Sequence, residues 1–289
     1  MKVAAECIPC FLTASLRAME KGGWPEDRRK EDLLGLLPLL GSLDNSKTPA
    51  ENASILFHQL VRTMGGIDPF KEVKDESNKS ALQYQPRLQK MLSQSSDQLD
   101  LALRFAVAGN VVDMGIFDDY DLAEAIKESL GTKFVLDDYA EFKERVDQAR
   151  KLLIIGDNSG EVVLDRLLVE TLIAAGKEVT YGVKGGFILN DSTLDDAIAA
   201  GMNDTCLVIT NGNNFVGTIP EKCSEQFLQT YRDADLVISK GQGNFYTLEG
   251  TEFAGNKTFF LFIVKCSAVA KYLGVNEGAL IFAQNKLAL

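Results

Sequence analysis

Five short apolar runs in the second half of the chain constrain its fold more than any other feature. KLLIIG at 151–156, EVTYGV at 178–183, CLVIT at 206–210, DLVIS at 235–239 and TFFLFIV at 258–264 are all of strand length and rich in β-branched or aromatic residues. Helical stretches at 160–175, 193–200 and 222–231 lie between them. Strand and helix in alternation predict an α/β fold with a doubly wound, mainly parallel sheet, Rossmann-like and three layers deep, because right-handed crossovers place helices on both faces.

The first half has another rhythm. Up to about residue 150 apolar residues recur at helical spacing, as in Leu33, Leu36, Leu37 and Leu40, or Ile55, Leu56, Leu60 and Met64. Stop signals fall at Gly22-Gly23, at Gly65-Gly66 followed by Asp68-Pro69, and at Gly131. We therefore assign 1–150 to an all-helical region and 151–289 to an α/β domain, with no linker composition that separates them.

Composition narrows the function classes. The chain of 289 residues is 46% hydrophobic and 25% charged, as expected of an ordinary globular protein. Its net charge of -11 is the wrong sign for tracking a nucleic-acid backbone, so no nucleic-acid partner is expected. The longest uninterrupted apolar run, 259–264, is far below the ~20 residues needed to cross a bilayer, so no membrane partner is expected either. Near the amino terminus Glu6 interrupts the apolar stretch and Arg17 follows, which reads as an amphipathic helix and not a signal peptide. Five scattered cysteines suit reduced thiols, and the expected compartment is the cytoplasm.

Ligands of doubly wound sheets bind beyond the carboxyl ends of the strands. Those ends read GDNSGE, KGGFILNDST, NGNNFVGT, KGQGNFY and KCSAVA. Asp157 and Asn158 leave the first run and Asp191 follows the second. Each has an alternative reading as a helix cap, but together they offer hard oxygen donors suited to magnesium or manganese. Lys240 and Lys265 each end a strongly apolar run, where a surface lysine is less expected and a phosphate contact is the functional alternative. The glycines of KGQGNF would let backbone N–H groups approach an anion. Asp195, Asp196, Asp233 and Asp235 read as solvated charges. The stretch 212–217 has P-loop spacing without the lysine, which rejects a nucleotide-triphosphatase reading. Cys7 and Cys10 form one CxxC with no partner pair, open to a structural, metal or redox role. His58, the one histidine, lies in an amphipathic helix and reads as a packing residue.

GDNSGEVVLDRLL at 156–168, LNDST at 189–193, DLVISKGQGNF at 235–245 and the Lys265-Cys266 pair resemble the damage-control phosphatases, also called the acidic-residue-methyltransferase-like family and formerly domain of unknown function eighty-nine. With CIPC at 7–10, DPFKEVKDESNKSA at 68–81 and GNVVD at 109–113 the resemblance spans nearly the whole chain and is closest to the compact, CxxC-bearing subfamily I. It implies a helical region packed on an α/β domain that binds metal and phosphate, and hydrolysis of small phosphorylated metabolites with manganese, cobalt, nickel or magnesium. The family's metal ligands map onto Asp157, Asn158 and Asp191, which would also be the catalytic set. Its phosphate-binding segment maps onto Lys240, Gly241, Gly243 and Asn244, with Lys265 as a further lysine, while Glu161 and Asn110 complete the expected substrate contacts; Asp113 lies in the same polar motif as Asn110. The chain departs from the family pattern at Tyr246, where Glu is frequent, at Phe187, where Pro is frequent, and in NGNN, positions that bear on substrate choice.

Two rival readings belong to other classes. A carboxyl methyltransferase using S-adenosylmethionine suits the sheet, but no G-x-G loop follows the first run and Asp157 there suits a cation better. A non-catalytic protein that binds metal or metabolite is the other.

Overall fold

The computed structural model describes residues 1–109 and 122–286, and within them the chain forms twelve α-helices and seven strands. Helices α1 (Cys7–Lys21), α2 (Glu26–Gly41), α3 (Pro49–Thr63), α4 (Lys71–Gln94), α5 (Gln98–Gly109) and α6 (Leu122–Gly131) come first. Strand β1 (Phe134–Asp137) and helix α7 (Tyr139–Gln148) follow. The α/β part then runs β2 (Lys151–Ile155), α8 (Glu161–Ala174), β3 (Glu178–Val183), α9 (Leu194–Ala199), β4 (Leu207–Thr210), α10 (Glu225–Asp233), β5 (Leu236–Lys240), α11 (Gly241–Leu248), β6 (Thr258–Ile263), α12 (Ser267–Leu273) and β7 (Leu280–Gln284).

The sheet order is β1-β7-β6-β5-β2-β3-β4. Strands β2 to β6 are mutually parallel wherever they pair, and β7 runs antiparallel to β6. The chain winds outward from β2 through β3 to β4, then returns to lay β5 on the other side of β2, so the reversal of strand order lies between β2 and β5. All five apolar runs are strands of this sheet. Two strands escaped the sequence reading. β1 falls within the expected all-helical region and pairs with β7, and β7 closes the described chain.

Both faces of β2 are buried, which explains its unbroken apolar run. Leu152 and Ile154 join a core with α5 and α8, while Leu153 and Ile155 join a second core with Phe227 of α10 and Phe245 of α11. The first core draws on residues from Ala81 to Phe282, so residues before and after 150 share one interior. Helices α1 to α3 form a smaller cluster that also takes in Ile188, and Leu189 and Val216 pack against it; the helical layer is thereby seated on the loops that leave β3 and β4. Among the described residues no helix is long and apolar enough to cross a membrane.

Candidate active site

The loops leaving β2 and β3 are laced together. Asn158 and Asp191 form an antiparallel bridge, the Ser159 N–H donates to the Asn190 carbonyl at 2.9 Å, and the Ser192 N–H donates to the Asp157 carbonyl at 2.8 Å. This brings Asp157, Asn158 and Asp191 to one wall of a cleft of about 400 Å³ beside the strand-order reversal, each less than a tenth exposed. The Asn158 amide nitrogen donates to Asp157 Oδ2 at 3.2 Å and to Glu161 Oε1 at 2.9 Å, which directs its carbonyl oxygen to other use. Two carboxylates and one amide oxygen are a hard donor set of the kind that suits magnesium or manganese. Among the described residues no group of three or more His, Cys, Asp or Glu side chains is drawn close enough to hold an ion; here the third donor is an amide.

The other side of the reversal approaches just as closely. Gly241, first residue of α11, has φ +79°, and a Cβ there would stand 1.9 Å from Asp157 Oδ2. Only glycine lets the chain turn this tightly against the carboxylate. Gly243 and Lys265 line the cleft.

Lys240, Glu161 and Asn244 do not line it. Lys240 is fully buried, and its ammonium donates to Glu161 Oε2 at 2.9 Å and Asp165 Oδ1 at 2.7 Å. The cause is the pleat: Lys240 continues a strand buried on both sides and turns toward α8, whose first turns present Glu161 and Asp165 one helical turn apart. Tyr181 of β3 donates to Asp165 Oδ2 at 2.7 Å and completes the network. Burial, reinforced by Glu161, pushes the Asp165 carboxyl up to about 6 against the opposing pull of Lys240. The nearby carboxylates raise the Lys240 ammonium in spite of its burial. Asn244 is likewise committed, donating to the Lys240 and Gly156 carbonyls and accepting from Thr218 Oγ1. The expected direct phosphate contacts of Lys240, Glu161 and Asn244 are therefore corrected: these residues lie beneath the cleft and hold its wall. Asn110 and Asp113 lie outside the described residues.

Sequence reasoning missed Lys184. Only 3% exposed, it donates to the Gly217 carbonyl and stands 3.4 Å from Asp191 Oδ2. It too is a lysine directly after an apolar run, the signal that singled out Lys240 and Lys265. Asp196 is not solvated either. It is buried, closes a capping box with Thr193 and pairs with Lys74 at 3.6 Å, while Asn78 donates to Asp196 Oδ1 and accepts from the Gly160 N–H. The 68–81 motif thus supports the turn that follows Asp157. Asp235 is exposed but accepts the N–H groups of Arg150 and Lys151, which hold its carboxyl below the usual range. His58 bonds the Asn214 carbonyl at 2.8 Å and meets Phe215 edge-on, a packing role.

Helix α1 brings Phe11, Ala14 and both cysteines of the CxxC to the cleft, which Cys266 also lines. Burial, chiefly, raises the Cys7 and Cys10 thiols, and each is raised further by Cys266.

The family model described as the damage-control phosphatase ARMT1-like domain matches residues 3–281. The chain belongs to this family. It is 35% identical over the full length of both chains to a damage-control phosphatase of Pyrococcus horikoshii. It is 26% identical to a damage-control phosphatase of Archaeoglobus fulgidus, over 97% of this chain and 98% of that one. The fold is that of the crystal structure of a DUF89 family protein from P. horikoshii, with a TM-score of 0.90 and 32% identity over 99% of this chain and 100% of the other. The damage-control phosphatase family thus accounts for the whole described architecture, helical layer included.

Proposed function

We propose that this protein hydrolyses phosphate esters of small metabolites with the help of a divalent cation, manganese, cobalt, nickel or magnesium. Family membership supports the phosphatase reading. The observation that carries the site is the meeting of Asp157, Asn158, Asp191 and Lys265 in one cleft beside the strand-order reversal. Asp157, Asn158 and Asp191 would hold the cation, which when bound supplies Lewis-acid polarisation and water activation. Lys265 and the backbone at Gly243 bind and orient the phosphoryl group and offset the charge that develops on its oxygens. Glu161 keeps Asn158 turned toward the cleft, and Lys184 steadies Asp191. In the reaction the bond from phosphorus to the bridging oxygen breaks, a water oxygen bonds phosphorus, and a proton from that water ends on the departing alcohol.

The test is phosphate release from a panel of esters with each of the four metals. Asp157→Ala and Asp191→Ala should abolish metal-dependent release while the variants stay folded, and Asn158→Ala should be milder because a neutral donor holds the ion less strongly. Methyl transfer from S-adenosylmethionine without phosphate release would favour the methyltransferase. Anomalous scattering from manganese-soaked crystals that places no ion among the three side chains would overturn the ligand assignment.

A further inference from the structure

Phosphate-ester hydrolysis leaves the CxxC of α1 without a task. Cys7 is the first residue of the helix and Cys10 the fourth, and both are free thiols that line the cleft. Three residues along an α-helix advance about 4.5 Å and turn through about 300°, which sets the two Cα atoms about 5 Å apart, inside the roughly 4.4–6.8 Å that a disulfide spans. Positions three apart also share a helix face, with Cβ atoms about 5–6 Å apart where a disulfide holds them at about 4 Å. The first turn can supply that movement. The Cys7 and Ile8 N–H groups bond back to the Ala4 and Ala5 carbonyls ahead of the helix, at 3.0 and 3.2 Å, and Pro9 has no N–H, so the turn can tighten without breaking an i→i−4 bond of these three residues. The two thiols differ in access, since Cys10 is exposed while Cys7 is buried against Phe11 and Leu56. Among the described residues no three Cys, His, Asp or Glu side chains are close enough to hold an ion, so Cys266 does not complete a metal site with the pair. The Cys266 sulfur is engaged with the Tyr246 hydroxyl at 3.3 Å and the Gln242 amide nitrogen at 3.5 Å.

We infer that Cys7 and Cys10 are a redox modification site, a dithiol that closes to a disulfide on reaction with a low-molecular-weight disulfide such as oxidised glutathione and reopens with a dithiol reductant. The exposed Cys10, as thiolate, attacks one sulfur of the oxidant, whose S–S bond breaks and whose other half leaves as a thiol. Cys7, its proton passed to water, then attacks Cys10 Sγ and expels the second half. The protein gives up two protons and two electrons, and the oxidant becomes two thiols. The second step is intramolecular, so the mixed disulfide does not accumulate. Burial raises both thiols. The open form therefore has no stabilised thiolate of the kind that makes a disulfide strongly oxidising, and exchange at neutral pH is slow. Closure draws in the first turn of a helix that lines the same cleft as Asp157 and Lys265, so it alters the lining that a substrate meets.

The experiment maps thiols on the metal-loaded full chain after incubation with excess oxidised glutathione under native conditions. Trypsin cuts after Lys2, Arg17, Lys265 and Lys271, which puts Cys7 and Cys10 together in the peptide 3–17 and Cys266 in the peptide 266–271. We expect 3–17 to lose two hydrogens through an internal disulfide in most chains, and dithiothreitol to restore them. Cys7→Ser should stop at one glutathione on Cys10, and Cys10→Ser should leave Cys7 unmodified. Glutathione that stays on Cys10 of the unsubstituted chain, a 3–17 peptide joined to 266–271, or thiols that react only after unfolding in urea would each overturn the inference. The map of the unsubstituted chain decides the pairing even if serine in place of the buried Cys7 unfolds the protein. Oxidised chains should release phosphate from an accepted ester at least about threefold more slowly than reduced ones, with dithiothreitol restoring the rate and Cys10→Ser insensitive to the oxidant. Equal rates would overturn the effect on the cleft. The disulfide does not rest on the phosphatase reading: if no ester is hydrolysed with any of the four metals, that reading fails and the thiol map still decides the pair.

Discussion

Lys240 acts on this site through Glu161 although it does not line the cleft. It neutralises Glu161 and Asp165 where water cannot, and Glu161 in turn holds Asn158. Removing one partner of a buried ion pair leaves charge without compensation, so Lys240→Ala should cost about 3–5 kcal/mol of unfolding free energy, read from urea denaturation. A lysine that only contacted phosphate would show no such loss. The pH dependence follows from Asp165, whose carboxyl is raised from an ordinary 3.8 to about 6 by burial. A raised carboxyl takes up a proton on folding, so stability declines as pH rises from about 4 to 6 and stays at the lower level above it. In Lys240→Ala the opposing charge is gone, the carboxyl rises further, and the decline should extend to higher pH; melting temperatures across pH 4 to 8 would show it. Gly241→Ala should be equally severe for a steric reason, since its Cβ would meet the Asp157 carboxylate. Circular dichroism and phosphate release should fall together in that variant. The sequence signal for Lys240 was sound but its meaning was not, because an apolar strand ending in lysine announces a buried cation without saying which face it serves. Glu161 and Asp165, one helical turn apart in the apolar sequence EVVLDRLLVETLIA, were the clue that the partner lay on the helix.

At the scale of elements, the sequence was most legible where burial is two-sided. β2, β5 and β6 are near-continuous apolar runs buried on both sides, and β3 and β4, less fully buried, hold enough β-branched and aromatic residues to be read within a residue or two of their ends. β1 was not, since FVLD is four residues long, only partly buried and set among charges. α11 was hidden for another reason: GQGNFYTL shows no helical period and has two glycines, and its helix is held by Phe245 and Leu248 in the core instead of by propensity. α3 is the opposite case, written out in local chemistry. Thr48 and Glu51 close a capping box around Pro49 at the first helical position, and the helix carries Ala50 and Ala53 to the cleft. Thr48→Ala should cost about 1 kcal/mol, measured as a shift in denaturation midpoint, with turnover of any accepted ester changed much less than by Asp157→Ala.

Over the whole molecule, the change of rhythm near residue 150 marks a change of element type and not a break in the fold. β1 lies in the sheet, and α5 and α8 share one core. Limited proteolysis should therefore give no pair of stable fragments divided at residue 150, and fragments expressed as 1–150 and 151–289 should each fail to show a cooperative thermal transition. The cleft inherits this interdependence, because α1 supplies one wall while Gln242, Tyr246, Lys265 and Cys266 supply another, from opposite ends of the chain. On the ribosome, Gly243, Lys265 and Cys266 emerge long after α1 and must meet it again across the growing sheet. A copy cut short of Lys265 would carry Asp157, Asn158 and Asp191 without the later part of the cleft lining, and we expect it to release no phosphate.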